Sequence, residues 1–416
     1  MTKPSAKWDW PEEYLLPDYD GGSIANVPAT VAALLGVPFE GLPPLRPQLW
    51  QPMAHGVKRV VLLIIDAWGW NLLEKEWSSW ESVLAKTAVS GQLTSVFPST
   101  TVAALSTLWT GVAPAQHGLV GLRLFMPDYA VMTQFIHFTP TFRKYPDALI
   151  EAGLDPEQFL QVPGFAEQLA AAGIDTHAFK GQEIIDSALS MMHGRGVSGN
   201  HGAVSAADMF VQMRQLLEAK AGESLYACAY WPTVDTLSHT YTWQGESVAA
   251  ELRALWHQFD HEFLGALSPE AKEGTAVFIL ADHGQAITPA HQRIYLEDHP
   301  TLQKMLFMRP AGEPRTIYFY ARHGCQQAII DYVNKNLSEA MIAISVPDAL
   351  AAGLLGPNPP VFQVADRLGD VIVTMRQGYV LLTEKERAKA DRMQGRHGGL
   401  TKAEMQVPWL GFRLDG

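Results

Sequence analysis

The chain has 416 residues, of which 47% are hydrophobic and 18% charged, and its formal net charge is −12. This length fits one large α/β domain, or a catalytic domain with a smaller inserted one, and the apolar content argues against general disorder. The negative charge argues against a groove that follows polymeric nucleic acid, because such grooves neutralise phosphates with Lys and Arg.

The cysteines and the N-terminal residues bear on the cellular compartment. Cys228 and Cys325 lie far apart and in no paired-cysteine metal motif, so we expect reduced thiols rather than a disulfide framework. Residues 1–22 lack the positively charged start and apolar run of a secretory signal peptide. The apolar stretches are also too short to span a bilayer. We therefore predict a cytoplasmic protein without a membrane partner.

Along the chain, the hydrophobic pattern changes at Lys58. Residues 1–57 are rich in proline and aromatic residues and show no sustained periodicity, which predicts an extended arm laid over the core. From Lys58 onward, short apolar runs alternate with helix-like windows, a pattern typical of a mainly parallel sheet covered by helices on both faces. We expect strands near 58–65, 91–96, 175–179, 224–231 and 275–281, and helices near 101–110, 164–173, 204–219 and 246–268.

Residues 287–390 form a second group of predicted elements. It contains strands at 315–322 and 340–346, a helix at 324–336, and strands on either side of Gln377 and Gly378. The expected organisation is an N-terminal arm (1–57), an α/β core with a mainly parallel sheet sandwiched by helices (58–286 and 391–416), and a smaller inserted α/β subdomain (287–390). We expect the insertion to close over one edge of the core like a cap.

Carboxylates and imidazoles stand where predicted strands end. Asp66 directly follows VVLLII, and Asp282 and His283 follow AVFILA. In an open parallel sheet the ligand crevice lies beyond the carboxyl ends of the strands, so these side chains are candidate cation ligands. The alternative is that the aspartates cap helix N-termini, where Asp is favoured, and that His283 is an ordinary loop histidine.

Two further motifs supply the same ligand types. Asp235 and His239 are four positions apart after the apolar run LYACAYW, so they share one face of a helical turn, although such pairs are also common on protein surfaces. His397 is followed by two glycines, which let the backbone approach a ligand; a flexible loop histidine is the alternative. Mixed Asp and His ligation without thiolates suits Zn²⁺ and tolerates Mn²⁺.

The segment VFPSTTVAALSTLWTG, residues 96–111, supplies a candidate nucleophile. A helix-compatible run begins near Val102, which places Thr101 at a helix N-terminus, where free N–H groups and the helix dipole favour a phosphate oxygen. Metal coordination would activate the Thr101 hydroxyl for attack. Thr100 and Ser99 are competing candidates, and helix capping is the alternative role.

Taken together, these motifs resemble the alkaline phosphatase superfamily, and most closely its type I phosphodiesterase/nucleotide pyrophosphatase branch. In that family the order is an aspartate, a threonine nucleophile, Asp-x-x-x-His, Asp-His and a late histidine before glycine. This chain matches the order with Asp66, Thr101, Asp235 and His239, Asp282 and His283, and His397. The resemblance covers roughly residues 58–285 and 390–410.

The resemblance implies two divalent metal ions, with zinc expected and manganese as the alternative. One ion would be held by Asp235, His239 and His397, and the other by Asp66, Asp282, His283 and the Thr101 oxygen. It also selects Thr101 over Thr100 as the nucleophile.

The activity implied by the resemblance is hydrolysis of phosphodiester or nucleotide pyrophosphate bonds through a phosphothreonine intermediate. The substrate would be a small phosphoester, for which a nucleotide is one candidate. The chain departs from the family at Ala104, where an asparagine is usual, so the substrate stays open. Alternatives are a phosphomonoesterase or phosphonate hydrolase on the same scaffold, a phosphomutase, and a metal-binding protein without catalysis. We expect His117 to have a structural role in the loop after the nucleophile helix.

Overall fold

A computed structural model describes residues 10–80 and 85–416 of the chain. Its strands are β1 (Arg59–Ile65), β2 (Val89–Thr94), β3 (Arg123–Met126), β4 (Val131–Gln134), β5 (Thr139–Pro140), β6 (Asp175–Gly181), β7 (Gly199–Ala203), β8 (Leu225–Trp231), β9 (Thr275–Leu280), β10 (Ala286–Ile287), β11 (Arg293–Tyr295), β12 (Ala311–Glu313), β13 (Thr316–Phe319), β14 (Met341–Ser345), β15 (Val371–Met375), β16 (Val380–Leu382), β17 (Gly395–Arg396) and β18 (Gln406–Arg413).

Its helices are α1 (Val27–Leu34), α2 (Trp70–Lys75), α3 (Thr101–Thr110), α4 (Pro114–His117), α5 (Ala148–Glu151), α6 (Phe165–Ala171), α7 (Ala188–His193), α8 (Ala206–Ala219), α9 (Thr233–Tyr241), α10 (Glu246–Gln258), α11 (Pro269–Lys272), α12 (Pro300–Met305), α13 (Gln326–Asn336), α14 (Val346–Ala351), α15 (Gln363–Leu368), α16 (Glu384–Arg387) and α17 (Lys402–Met405). Each helix among the described residues is too short or too polar to cross a bilayer.

The main sheet has seven strands in the order β2-β18-β9-β1-β8-β6-β7. The five strands from β9 to β7 are parallel, whereas β18 runs antiparallel to both β9 and β2. Every residue of β1 and β9 is buried, as expected for strands covered on both faces. Leu62 in β1 lies opposite Cys228 on one side and Phe278 on the other. The predicted α/β class with a large, mainly parallel sheet is therefore confirmed.

Most predicted elements of the core appear within a few residues of their expected bounds. The helix expected at 101–110 is α3, and the strand expected at 91–96 is β2, shifted two residues toward the N-terminus. Helices α6 and α8 pack against β6. The long helix expected at 246–268 is α10 followed directly by a π-helix at Phe259–Leu264, where the hydrogen-bonding pattern widens.

The N-terminal region differs from the extended arm that we expected over residues 1–57. Residues 1–9 lie outside the described part of the chain, but Val27–Leu34 form the regular helix α1. All of α1 except Ala33 is buried, and its side chains belong to the same core as β1. A helix buried on all sides has no polar stripe, so the helical period leaves little trace in the sequence. The domain boundary at residue 57 stays a prediction.

The second seven-stranded sheet is antiparallel, in the order β14-β15-β13-β12-β3-β4-β5. Four of its strands come from the stretch 287–390 and three from residues 123–140, and the two parts meet where Gly312 pairs with Arg123. The strands around Gln377 and Gly378 separate: β15 pairs with β13 and β14, whereas β16 pairs with β11. The boundaries proposed for the inserted subdomain stay a prediction. The second sheet extends beyond these boundaries, because it includes β3, β4 and β5.

Candidate metal centre and active site

The candidate ligands gather at the carboxyl edge of three neighbouring strands. Asp66 directly follows β1, Asp282 and His283 come two and three residues after β9, and α9, which carries Asp235 and His239, begins two residues after β8. Because β9, β1 and β8 are parallel neighbours, their carboxyl ends meet at one edge of the sheet. His397 reaches the same edge from the residue after β17. All the ligands predicted from the sequence therefore lie together.

One group is formed by Asp66, Asp282, His283 and Thr101. The His283 Nε2 atom lies 3.4 Å from Asp66 Oδ1, 3.5 Å from Asp282 Oδ2 and 3.1 Å from Thr101 Oγ1. All four residues are buried. Among the described residues, neither Asp66 Oδ1 nor Asp282 Oδ2 has a hydrogen-bond partner. Unpartnered buried carboxylate oxygens are costly, so this donor set fits a cation.

A second group contains Asp235, His239 and His397. Asp235 Oδ2 lies 3.2 Å from His239 Nε2, and Asp235 Oδ1 lies 3.7 Å from His397 Nε2. The His397 ring stacks on the His283 ring, with centroids 3.9 Å apart. Ligand atoms of Asp235, His283 and His397 lie within 4.8 Å of one another, and so do those of Asp66, Asp282 and His283. His283 thus stands between the two groups, and the division of ligands between two ions stays a prediction.

Each candidate histidine makes the same contact on the side away from the cluster. The Nδ1 atoms lie 2.8 Å from the Gly395 carbonyl oxygen (His239), 3.1 Å from that of Gly284 (His283) and 3.2 Å from that of Ser99 (His397). A carbonyl oxygen only accepts, so each Nδ1 donates a proton, and a neutral ring keeps its lone pair on Nε2. Histidines that bind metals are oriented in this way by outer hydrogen bonds.

The acidic side chains respond to burial and to one another. Burial raises the pKa of Asp66 well above its ordinary value, and the nearby carboxylates of Asp282 and Asp235 add to this rise. Burial also raises the pKa of Asp282, although His283 opposes the change. Burial alone would raise the pKa of Asp235, but the charge and hydrogen bond of His239 outweigh it and hold that pKa well below the ordinary range. A bound cation would favour the charged form of all three carboxylates.

Thr101 is the hydroxyl that faces the candidate ligands. It is the first residue of α3, and its Oγ1 contacts His283. The neighbouring hydroxyls point elsewhere: Ser99 donates to the Gly399 carbonyl at 2.7 Å, and the Thr100 hydroxyl faces the carboxyl group of Glu313, where it opposes the rise of the Glu313 pKa caused by burial. Thr100 rather than Thr101 occupies the N-cap position of α3. The alternative that Thr101 serves only as a helix cap is therefore not supported.

Three residues at the site were missed by the sequence analysis. The Tyr230 hydroxyl donates to Asp66 Oδ2, and Gln285 Nε2 donates to Asp235 Oδ1 at 2.5 Å. Glu313, from the second sheet, is buried with its Oε2 atom 3.8 Å from His397 Nδ1, and burial raises the pKa of Glu313 to about 8. Gln285 could have been predicted from the sequence as a residue of the site, because it directly follows the motif Asp282-His283-Gly284.

Two other positions singled out in the sequence lie away from the ligand cluster. His117 Nε2 lies 3.0 Å from the Thr107 hydroxyl, and its Nδ1 accepts from the Leu119 amide at 3.1 Å. These bonds hold the loop after α3, which agrees with the predicted structural role. Ala104 is fully buried in the main core.

An α/β fold with clustered Asp and His ligands around a helix-terminal threonine defines the class of metal-dependent hydrolases that act on phosphoesters. A model of the type I phosphodiesterase / nucleotide pyrophosphatase family matches residues 60–400. The chain belongs to this family, and it is an enzyme of the phosphodiesterase/nucleotide pyrophosphatase type. No curated protein matches the sequence.

Solved structures show the same fold at low sequence identity. Murine ectonucleotide pyrophosphatase / phosphodiesterase 5 is 17% identical, with 86% of this chain and 89% of that chain covered and a TM-score of 0.61. Its human counterpart is 17% identical, with coverages of 85% and 87% and a TM-score of 0.63. Phosphonoacetate hydrolase from Sinorhizobium meliloti 1021, in complex with phosphonoformate, is 18% identical, with coverages of 85% and 89% and a TM-score of 0.62. The murine protein is also known in an inactive form in complex with AMP.

Proposed function

We propose that the protein hydrolyses phosphodiester or nucleotide pyrophosphate bonds of a small substrate, with Thr101 as the nucleophile at a two-metal site. The observation that supports this most directly is the common orientation of three histidines, whose Nδ1 atoms face carbonyl oxygens while their Nε2 atoms face the carboxylates. The unpartnered oxygens described above lie in the same place. This arrangement would otherwise bury acidic groups without compensation.

The residues fit two divalent cations, for which zinc is our first choice and manganese the alternative, because the ligands are oxygen and imidazole nitrogen without thiolates. Asp235, His239 and His397 would hold one ion, and Asp66, Asp282, His283 and the Thr101 oxygen the other. When bound, such ions supply Lewis-acid stabilisation of phosphoryl charge and activation of oxygen nucleophiles.

The chain itself supplies the nucleophile and part of the phosphate site. The Thr101 oxygen would attack phosphorus in line, forming a phosphothreonine as the bond to the leaving oxygen breaks. Water would then hydrolyse the phosphothreonine and restore the hydroxyl. The first amide groups of α3 lack intrahelical acceptors, so they are available to a phosphoryl oxygen during both steps. Burial of Thr101 limits competing reactions with bulk water.

The second candidate function is hydrolysis of phosphomonoesters or phosphonates. It is favoured by the likeness to phosphonoacetate hydrolase, whereas the AMP complex of the murine neighbour favours a nucleotide. A comparison of turnover on nucleotides, dinucleotide pyrophosphates, simple diesters, monoesters and phosphonates separates the candidates. Transfer of phosphate within one molecule, without release, would instead identify a mutase.

We also propose that residues 287–390 act as a cap at the site edge. The support is Glu313 on β12, whose Oε2 atom lies 3.8 Å from His397 Nδ1. A cytoplasmic location and the absence of polymeric nucleic acid or membrane as partners stay predictions from the sequence.

The test is a Thr101→Ala variant assayed with its metal content measured. We expect turnover of a nitrophenyl phosphodiester to fall at least about 1,000-fold because the nucleophile is removed, while both ions are retained because Asp66, Asp282 and His283 still hold the ion that Thr101 would contact. Thr236→Ala, which changes an exposed threonine on α9, is the matched control and should keep full activity. Undiminished turnover in Thr101→Ala would remove the nucleophile assignment, and wild-type protein without bound metal would remove the two-metal site.

A further inference from the structure

Two of the candidate carboxylate ligands have one oxygen held by an uncharged donor from outside the proposed ligand set. For Asp66 the donor is the Tyr230 hydroxyl, and for Asp235 it is the Gln285 side-chain amide. Asp66 belongs to one ligand group and Asp235 to the other, so each group has its own donor. The two groups therefore have separate outer supports.

Tyr230 is placed by the register of the main sheet. It lies on β8 directly opposite Ile64 of β1, two residues before Asp66, so the phenol reaches the carboxylate at the end of the neighbouring strand. Its hydroxyl donates to Oδ2. The other oxygen, Oδ1, is the atom that lies 3.4 Å from His283 Nε2 and has no hydrogen-bond partner among the residues that the structure describes. The phenol thus fixes which oxygen faces the cluster.

Gln285 supports the other group at Asp235. It is buried, and its Nε2 atom bonds both Asp235 Oδ1 at 2.5 Å and the Asp235 carbonyl oxygen at 3.3 Å. Its Oε1 atom packs against Gly395, where an added Cβ would lie 2.3 Å away. Gly395 is also the residue whose carbonyl accepts from His239 Nδ1. Gln285 therefore holds one ligand and lies beside the residue that orients another.

We propose that Tyr230 and Gln285 are positioning residues that set the cation affinities of the two groups independently, Tyr230 for the group with Asp66 and Gln285 for the group with Asp235. This inference rests on the proposed metal-dependent function. A neutral donor holds a carboxylate in one rotamer without adding charge, so one oxygen stays directed at the ion. Loss of such an outer hydrogen bond typically weakens metal affinity about 10- to 100-fold.

The experiment measures Zn²⁺ affinity directly, by titrating metal-free protein in competition with a chromogenic chelator. Tyr230→Phe removes the donor hydroxyl, and Gln285→Met removes the donor amide together with its Oε1 atom. Both substitutions keep the volume close to native. Tyr226→Phe is the matched control, because it removes a buried hydroxyl of the same strand that interacts with Cys228 and not with a candidate ligand. Asp66→Asn and Asp235→Asn serve as backgrounds in which one group is disabled and the other can be measured alone.

In the Asp66→Asn background, Gln285→Met should lower the Zn²⁺ affinity of the group with Asp235 about 10- to 100-fold. Tyr230→Phe should leave that affinity unchanged. The Asp235→Asn background should show the reverse, and Tyr226→Phe should have no effect in either. Equal effects of both donors in both backgrounds, or no effect of either, would overturn the inference.

The outcome for the wild type separates this inference from the function on which it rests. If the wild type binds no Zn²⁺, the proposed function fails; if it binds two ions and both variants bind them equally well, only the positioning role fails. Circular dichroism of the metal-free variants checks folding. Should Gln285→Met not fold, the result for Tyr230→Phe in the two backgrounds decides the matter alone.

Discussion

Arg315, between strands β12 and β13 of the second sheet, forms a fully buried ion pair with Glu404 on helix α17. Arg315 Nε lies 2.9 Å from Glu404 Oε1, and its Nη2 lies 2.6 Å from Oε2, with both side chains inaccessible to solvent. Glu404 also accepts from the Gly399 amide at 2.8 Å. The pair therefore adds to the contacts between the loop of a candidate ligand and the second sheet, where Thr316 also donates to the Gly398 carbonyl at 2.6 Å.

Breaking this pair should be strongly destabilising. Arg315→Met leaves the Glu404 carboxylate buried without its partner, which typically costs about 3–5 kcal/mol. Urea unfolding of variant and wild type measures the difference. Lys86→Met, which breaks an exposed pair with Asp260 at 3.1 Å, is the control and should cost less than about 1 kcal/mol. A cost for Arg315→Met no larger than this control would contradict the structural role.

Removal of metal should destabilise the protein. A chelator leaves the buried oxygens of Asp66 and Asp282 without a cation to balance their charge. Zn²⁺ at 100 times its Kd, in contrast, raises the free energy of unfolding by about 2.7 kcal/mol for each site. We expect the melting temperature to fall with chelator and to recover with added Zn²⁺. Asp282→Asn should show a smaller recovery, lower metal content and a lower rate. Full metal occupancy in that variant would count against Asp282 as a ligand.

The three hydroxyls before and at the start of α3 should differ in their effect on turnover. Ser99 donates to the Gly399 carbonyl and Thr100 faces the Glu313 carboxyl group, whereas Thr101 faces His283. Ser99→Ala and Thr100→Ala should therefore lower stability by about 1 kcal/mol each and keep turnover within tenfold of the wild type. Thr101→Ser should retain measurable activity, since it keeps a hydroxyl. A larger loss of turnover in Thr100→Ala than in Thr101→Ala would move the nucleophile assignment to Thr100.

A buried lysine away from the ligand cluster should make stability depend on pH. Burial lowers the pKa of Lys180 on β6 to about 8, while the unfolded chain keeps an ordinary pKa of about 10.4. Between these values the unfolded state binds more protons, so stability rises with pH at up to about 1.4 kcal/mol per unit. Between pH 7.5 and pH 10, the free energy of unfolding of the wild type should rise by about 1–3 kcal/mol relative to that of Lys180→Met. Parallel stability curves for the two proteins would show that Lys180 titrates normally.

The ligand cluster could be predicted because it follows from sheet topology. Strand-like apolar runs ending in Asp66 and Asp282 place both carboxylates at one edge of any parallel sheet, whatever the side-chain details. The helix start at Thr101 was likewise marked by the change of pattern after Pro98. The motif order of a known family then joined these local signals into one site.

The remaining features depend on pairing and packing that local patterns do not encode. Tyr230 appears in the sequence as one more aromatic residue in a buried strand, and only the register against β1 shows that it meets Asp66. Glu313 reaches the site from a sheet whose strands come from two distant parts of the chain. Helix α1 was missed because burial on every side removes the amphipathic period.

The composition of the second sheet bears on how the chain folds as it is synthesised. Strands β3, β4 and β5 emerge from the ribosome well before β12, whose Gly312 lies 189 positions after its partner Arg123. Until those later residues arrive, the outer edge of β3 has no strand to pair with, and such edges invite aggregation. We therefore expect newly made chains to depend on chaperones until most of their length has been translated, and fragments that end before residue 311 to be insoluble.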